Sequence, residues 1–251
     1  MKTMKQQKNP MVLIWKDLNK LSNAAAYFFV WECNRSIAKN GKFTVAFSGG
    51  NTPKKLYELL ASPAFSRNIS WKNVFIFWSD ERFVPHNDAE SNYNMAKENL
   101  LQHISIPEEN IYPIPTNGTT KKCARQYEKT MRKFFKPGEP RFDFLLLGIG
   151  NDGHTASLFP GTDILKEKKQ WIKESIQPGT NAPRISFTLP LIRQAKQIVF
   201  LVSGAEKADI ISRIFSKNQT KKLLPVQMIP PIKGNITWML DEKAGLNLPG
   251  V

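Results

Sequence analysis

Four short runs, KFTVAF at 42–47, VFIFW at 74–78, FDFLLLG at 142–148 and QIVFLVSG at 197–204, are apolar almost without interruption. A strand with one wet face alternates polar and apolar residues, so unbroken apolar runs belong to strands covered on both faces. Helical patterns lie between them. In residues 17–41 Asp17 stands at a capping position, Leu18, Leu21, Ala25 and Phe28 share a face, and Gly41 lies just past the end. KKLYELLA at 54–61 opens behind Pro53, and ESNYNMAKENLLQHI at 90–104 offers Met95, Leu100 and Leu101 as buried contacts. TKKCARQYEKTMRKFF at 120–135 is amphipathic, and AEKADIISRIF at 205–215 follows the last of the four runs. NIYPI at 110–114 reads as a short extended piece, RISFTL at 184–189 and ITWML at 236–240 as further strands, and DEKAG at 241–245 as a helical remnant. This alternation predicts an α/β fold. A single three-layer domain over 1–251 is expected, its mostly parallel, Rossmann-like sheet covered by helices on both faces.

Composition excludes several classes of function. No apolar run approaches the roughly 18 residues of a membrane span, and the apolar stretch Met11 to Trp15 is too short for a signal-peptide core. Cys33 and Cys123 are far apart and lack metal-ligand spacing, which fits packing residues in a reducing cytoplasm. The formal net charge is +15, yet the lysines are scattered, KEKK at 166–169 is mixed in sign, and no nucleic-acid-binding motif is present. Such a field draws small anionic metabolites. The expectation is a cytoplasmic protein, a monomer or weak homo-oligomer, with a small-molecule partner and neither nucleic acid, membrane, cofactor nor metal.

In parallel α/β sheets ligands bind beyond the carboxyl ends of the strands. Behind the first run stands SGGNTP at 48–53, where Gly49 and Gly50 uncover backbone N–H groups and Ser48 and Thr52 add hydroxyls. Pro53 then opens a helix whose N-terminus favours an anion. The sequence is neither a Walker loop nor a dinucleotide fingerprint. It suits one phosphate monoester, and it also serves a plain strand-to-helix turn. Behind the second run SDERFVP at 79–85 sets Asp80, Glu81 and Arg82 in a row, costly unless solvated or paired. Arg82 can fork onto a phosphate, Asp80 and Glu81 can position it or meet sugar hydroxyls, and Asn92 is a nearby neutral hydrogen-bonding group. A surface turn with local ion pairs is the plainer alternative.

Behind the third run, GIGNDGHTASLFPG at 148–161 surrounds His154 with glycines. Imidazole titrates near neutral pH, so His154 is the natural general base, and Asp152 orients the ring or holds substrate. His86 and His103 read as ordinary surface residues. Lys207 stands in the first turn of a helix, where the dipole disfavours a cation unless an anion shares the site, and Arg184 is a further candidate cation.

Together these stretches resemble the 6-phosphogluconolactonases of the pentose phosphate pathway. FSGGNTPKKLYELL, WSDERFVPHNDAESNYNMAKENLL, FDFLLLGIGNDGHTASLFPGT, PRISFTLPLI, FLVSGAEKADII and ITWMLDEKA occur in the family's order and span roughly 12–245. The resemblance implies a fold shared with glucosamine-6-phosphate deaminases and isomerases, and hydrolysis of 6-phospho-D-glucono-1,5-lactone. It implies His154 of the GHT motif as base, with basic residues on the phosphate; Arg82, Arg184 and Lys207 are the candidates. Asn51 stands where many relatives have serine, leaving the glycines intact. The deaminase relatives carry an acidic residue five positions after the histidine, and here that position is Phe159. Aldose–ketose chemistry needs several proton transfers that such a carboxylate assists, whereas ester hydrolysis needs one activated water and an oxyanion site. Phe159 therefore favours the lactonase. Ser157 as a nucleophile is a competing reading, but TASL lacks the Gly-x-Ser-x-Gly elbow.

Overall fold

The computed structural model describes residues 10–136, 138, 140–216, 223–232 and 234–248. Ten strands are present among them: β1 (Met11–Trp15), β2 (Phe43–Phe47), β3 (Val74–Trp78), β4 (Asp80–Arg82), β5 (Ile111–Tyr112), β6 (Phe144–Leu147), β7 (Ile172–Ile176), β8 (Pro183–Phe187), β9 (Gln197–Val202) and β10 (Asn235–Asp241). The helices are α1 (Leu18–Asn40), α2 (Asn51–Ala61), α3 (Pro63–Ser66), α4 (Asn92–Asn99), α5 (Thr120–Phe134), α6 (Leu189–Ile192), α7 (Ala208–Phe215) and α8 (Glu242–Gly245). Seven strands form one sheet in the order β1-β10-β9-β6-β2-β3-β5, and every adjacent pair is parallel. Every residue of β2, β6 and β9 is buried, as their unbroken apolar sequence requires.

The helices close the core through shape and local chemistry. The Asp17 carboxylate accepts from the Lys20 N–H at 2.9 Å to start α1, and Gly41, at φ 73°, ends it. The buried stripe of α1 runs through Leu21, Ala25 and Phe29, with Phe28 only partly covered. Phe29 meets Phe43 of β2 edge-on at 5.3 Å and Phe144 of β6 at 5.5 Å. Full burial stabilises each such ring by roughly 1.5–3 kcal/mol. Asp143, the one charge inside FDFLLL, is also explained. Its Oδ2 accepts from the N–H and the hydroxyl of Thr44, both at 2.8 Å, while Lys196 Nζ reaches Oδ1 at 2.5 Å. A carboxylate thus pins the start of β6 to β2.

Three strands went unread in the sequence. β1 pairs only with β10 and is half exposed, so its pattern carries little periodicity. β4, β8 and β7 form a separate antiparallel sheet in that order, so RISFTL joins this small sheet rather than the parallel one. DER is a strand because it pairs antiparallel with β8, and Glu81 turns its carboxylate into the start of α4. It accepts from the N–H groups of Asn92 at 2.7 Å and Tyr93 at 2.8 Å, and from the Ser91 hydroxyl at 3.1 Å. Burial raises the Glu81 carboxyl above its ordinary range, against the downward pull of these backbone N–H groups. Glu81 is therefore an anchor for α4, not a group offered to sugar hydroxyls. The helix itself is shorter than 90–104, giving way after Asn99 to a 3₁₀ turn at Leu101–His103, with Met95 only partly buried.

From β2 the chain steps to β3 and then β5, whereas from β6 it steps the opposite way to β9 and β10. The adjacent strands β2 and β6 therefore flank the topological switch point, where α/β sheets open a crevice. The loops at 48–50 and 148–162 leave their carboxyl ends.

Candidate active site

At the switch point lies a cleft of about 430 Å³. Ser48, Gly49, Gly50 and Thr52 line one part of it, Asp80, Arg82, Asn92 and Arg184 another, and His154 and Lys207 a third. Asp152 stands behind His154 rather than on the cleft wall.

The histidine is held from several directions. Its Nδ1 meets Asp152 Oδ1 at 2.6 Å, and its backbone N–H donates to the same oxygen at 3.1 Å. With the proton of a neutral ring on Nδ1, Nε2 is left as a lone-pair base. The loop is drawn tight by Gly150 N–H donating to His154 O at 2.9 Å and by Thr155 Oγ1 donating to Gly148 O at 2.8 Å. Gly150 is required by contact: a Cβ there would lie 2.1 Å from the imidazole and 2.8 Å from Asp152 Oδ1. Phe159 covers the ring from another side, its centroid 4.6 Å away, and is itself buried.

Beyond the histidine the loop is anchored to the small sheet. Ser157 Oγ donates to Asp80 Oδ2 at 2.7 Å, and the Ser157 N–H donates to Ser186 Oγ at 3.1 Å. Ala156, one residue before this anchor, adopts φ 47°, a left-handed conformation that costs a residue with a Cβ about 1 kcal/mol or more. The serine hydroxyl is thus committed to a carboxylate, and Asp80 holds the loop.

The opposite part of the cleft gathers open N–H groups and positive charge. α2 begins at Gly50, φ 107°, with no side-chain cap and no acidic residue in its first turn, so its terminal N–H groups and dipole are open. Arg82 and Arg184 are directly opposed in the β4–β8 register. Arg82 donates to Glu90 O and Arg184 to Gln177 Oε1, each at 2.5 Å. Burial, then the neighbouring Arg82 charge, lowers the Arg184 pKa, with Asp80, Glu90 and Glu81 opposing the shift. Like charges directly across a ladder repel, and a bound dianion reverses the sign of that pairing. Lys207 ends a 3₁₀ turn ahead of α7, where its Nζ donates to Asn151 Oδ1 at 2.7 Å and so leans toward the histidine loop.

Two polar atoms on the cleft have no protein partner although they are fully buried, Ser48 Oγ and Asn92 Oδ1. Asn92 is held by donating Nδ2 to Asp80 O at 2.9 Å, and a Cβ on Gly49 would stand 1.8 Å from its Oδ1. Each buried polar atom left without a partner costs about 1–3 kcal/mol.

The family described as "Glucosamine-6-phosphate isomerases/6-phosphogluconolactonase" matches residues 16–238. A protein of Synechocystis sp. named 6-phosphogluconolactonase is 42% identical over 218 residues, covering 85% of this chain and 88% of the relative. The chain belongs to the 6-phosphogluconolactonase family. As a member it is an enzyme of the hydrolase class. A rice (Oryza sativa subsp. indica) relative named "Probable 6-phosphogluconolactonase 3, chloroplastic" is 36% identical over 246 residues, covering 93% of this chain and 74% of its own. Among solved structures, the 6-phosphogluconolactonase from Trypanosoma brucei superposes with a TM-score of 0.87 at 28% identity, covering 96% of this chain and 99% of that one.

The other two histidines of this 6-phosphogluconolactonase-family chain stand away from the cleft. His86 donates through Nε2 to Ile114 O at 2.8 Å beneath the Tyr93 ring, and His103 bonds Glu98 O at 2.9 Å. Among the described residues no group of three or more His, Cys, Asp or Glu side chains is placed to hold a metal ion. Sequence reasoning missed Gln177, Ser186 and Glu206. Ser186 lies in the strand RISFTL, whose place beside the cleft the sequence did not show, and Gln177 directly follows β7, which went unread. Glu206 sits one residue before Lys207 and lines the cleft.

Proposed function

We propose that the chain hydrolyses 6-phospho-D-glucono-1,5-lactone to 6-phospho-D-gluconate in the oxidative pentose phosphate pathway, with His154 as general base. The observation that carries the reading is the Asp152–His154 contact of 2.6 Å at a cleft that also presents two opposed arginines and an uncapped helix start. The phosphate docks against Arg82, Arg184, Lys207 and the N–H groups of Gly49, Gly50 and Thr52, with the Ser48 hydroxyl as a further donor. Asn92 meets a sugar hydroxyl. Asp80 shapes this wall through its bond to Ser157 rather than by touching substrate.

Nε2 of His154 takes a proton from water as the oxygen attacks the lactone carbonyl, and Asp152 stabilises the imidazolium. Glycine-loop N–H groups face the developing oxyanion. The tetrahedral intermediate collapses, the ring C–O bond breaks, and the imidazolium returns its proton to the leaving oxygen. Ser157 is not the nucleophile in this scheme, since its hydroxyl is buried on Asp80. A sugar-phosphate deaminase remains the comparison reaction, and Phe159 in place of a carboxylate favours hydrolysis. Two free, buried cysteines, Cys33 and Cys123, support a reducing compartment, for which we propose the cytoplasm.

The test is lactone hydrolysis, corrected for the spontaneous rate, in the parent and in His154→Ala. A loss of about 10²–10⁴-fold in kcat is expected for a general base. Equal rates sink the assignment, and ammonia release from glucosamine 6-phosphate without lactone hydrolysis sinks the reaction itself.

A further inference from the structure

A second groove, of about 560 Å³, lies between α5 and β7, away from the catalytic cleft. Six cations line it: Lys121, Arg125, Lys129, Arg132, Lys133 and Lys136. All six are exposed, and only Arg132 has an ion-pair partner among the described residues, Glu128 at 2.6 Å. Arg132 is further fixed by lying 4.0 Å over the Trp171 ring. The other five have no ion-pair partner among the described residues.

This arrangement works against the helix that carries it. Lys121, Arg125, Lys129 and Lys133 follow one another at four-residue steps, each a like-charge pair on one helix surface. Lys121 and Lys122 also sit in the first turn, where the dipole disfavours cations. Glu128 is the one acid within α5, and its second oxygen is taken by the N–H groups of Trp171 at 3.0 Å and Ile172 at 3.2 Å. A face that repels itself in the free protein is stabilised by an anionic partner.

We propose that this groove docks an extended acidic segment of a partner protein, with carboxylates at alternate positions. The spacing selects it. Successive cations along α5 stand about 5–6 Å apart by helical rise, and alternate side chains of an extended chain about 6.6 Å apart. β7 adds backbone, because β8 is its only strand neighbour and, beyond the Ile172 N–H that Glu128 takes, its edge is free to pair with an extended segment. Two features disfavour a nucleic acid: no aromatic side chain lines the groove for base stacking, and Glu128 and Glu174 face it.

The experiment uses the full chain and a fluorescein-labelled heptapeptide with glutamate at positions one, three, five and seven, read by anisotropy at low salt. Saturable binding is expected, weakened at least tenfold in Arg125→Glu/Lys129→Glu, while kcat for lactone hydrolysis is unchanged because neither residue lies on the catalytic cleft. The single variant Lys129→Ala, a mild change on an exposed helix position, must weaken binding in the same direction and carries the test if the double variant fails to fold. A peptide of the same composition with its glutamates contiguous is expected to bind several-fold less tightly. The proposal is overturned by absent binding, by affinity unaltered in the variants, by equal affinity for the contiguous peptide, or by tighter binding of an eight-residue oligothymidylate.

Discussion

Gly150 and His154 form a matched pair at the residue scale. The imidazole occupies the space that any side chain at position 150 would take, since a Cβ would stand 2.1 Å from it. Gly150 is not among the residues with positive φ, so its backbone accepts alanine without strain. Gly150→Ala should therefore push the ring away from Asp152 and leave the fold intact. A displacement of about 1 Å at a catalytic group costs on the order of 10²-fold in rate. The expected outcome is a fall of that order in kcat, with KM and the melting temperature little changed. A melting temperature lowered by many degrees would show that the glycine serves the fold instead. The histidine was legible in the sequence because a polar, glycine-rich stretch followed an apolar strand. Its cover by Phe159 was visible only as a missing carboxylate, since ring packing leaves no spacing signal.

At the scale of elements, β4 shows what the sequence conceals. Three charged residues in a row read as ligand contacts or as a surface turn, yet Glu81 is 1% exposed and turns its carboxylate onto the first turn of α4. The clue was a side-chain anchor eleven positions away, and local periodicity carries no such information. The central parallel strands β2, β6 and β9, by contrast, were plain, because burial on both faces writes itself into every residue of a strand. Glu81→Gln tests the anchor. An amide keeps one acceptor oxygen but turns an N–H group toward donors, leaving at least one buried group unpaired. The cost is about 1–3 kcal/mol, seen as a lower urea midpoint at unchanged slope. Asn92 begins α4 and borders the cleft, so KM should rise together with the loss of stability. An unchanged midpoint would mean that Glu81 contributes nothing net to holding α4.

At the scale of the whole molecule, the net charge of +15 bears on how an anionic substrate arrives. The charge is distributed unevenly: the groove beside α5 holds six cations, and the cleft holds Arg82, Arg184 and Lys207. Fields of this kind steer an anionic ligand toward the surface and raise its local concentration. Screening removes the effect, because the Debye length falls from about 30 Å at 0.01 M salt to about 8 Å at 0.15 M. For a phosphorylated lactone, kcat/KM should thus fall several-fold over that range, carried by KM while kcat stays constant. The unphosphorylated lactone separates steering from any general effect of salt on the enzyme. Its kcat/KM, though low without the phosphate contacts, should be flat over the same range. A parallel decline for both lactones would place the salt effect on the protein and remove the charge from any role in capture.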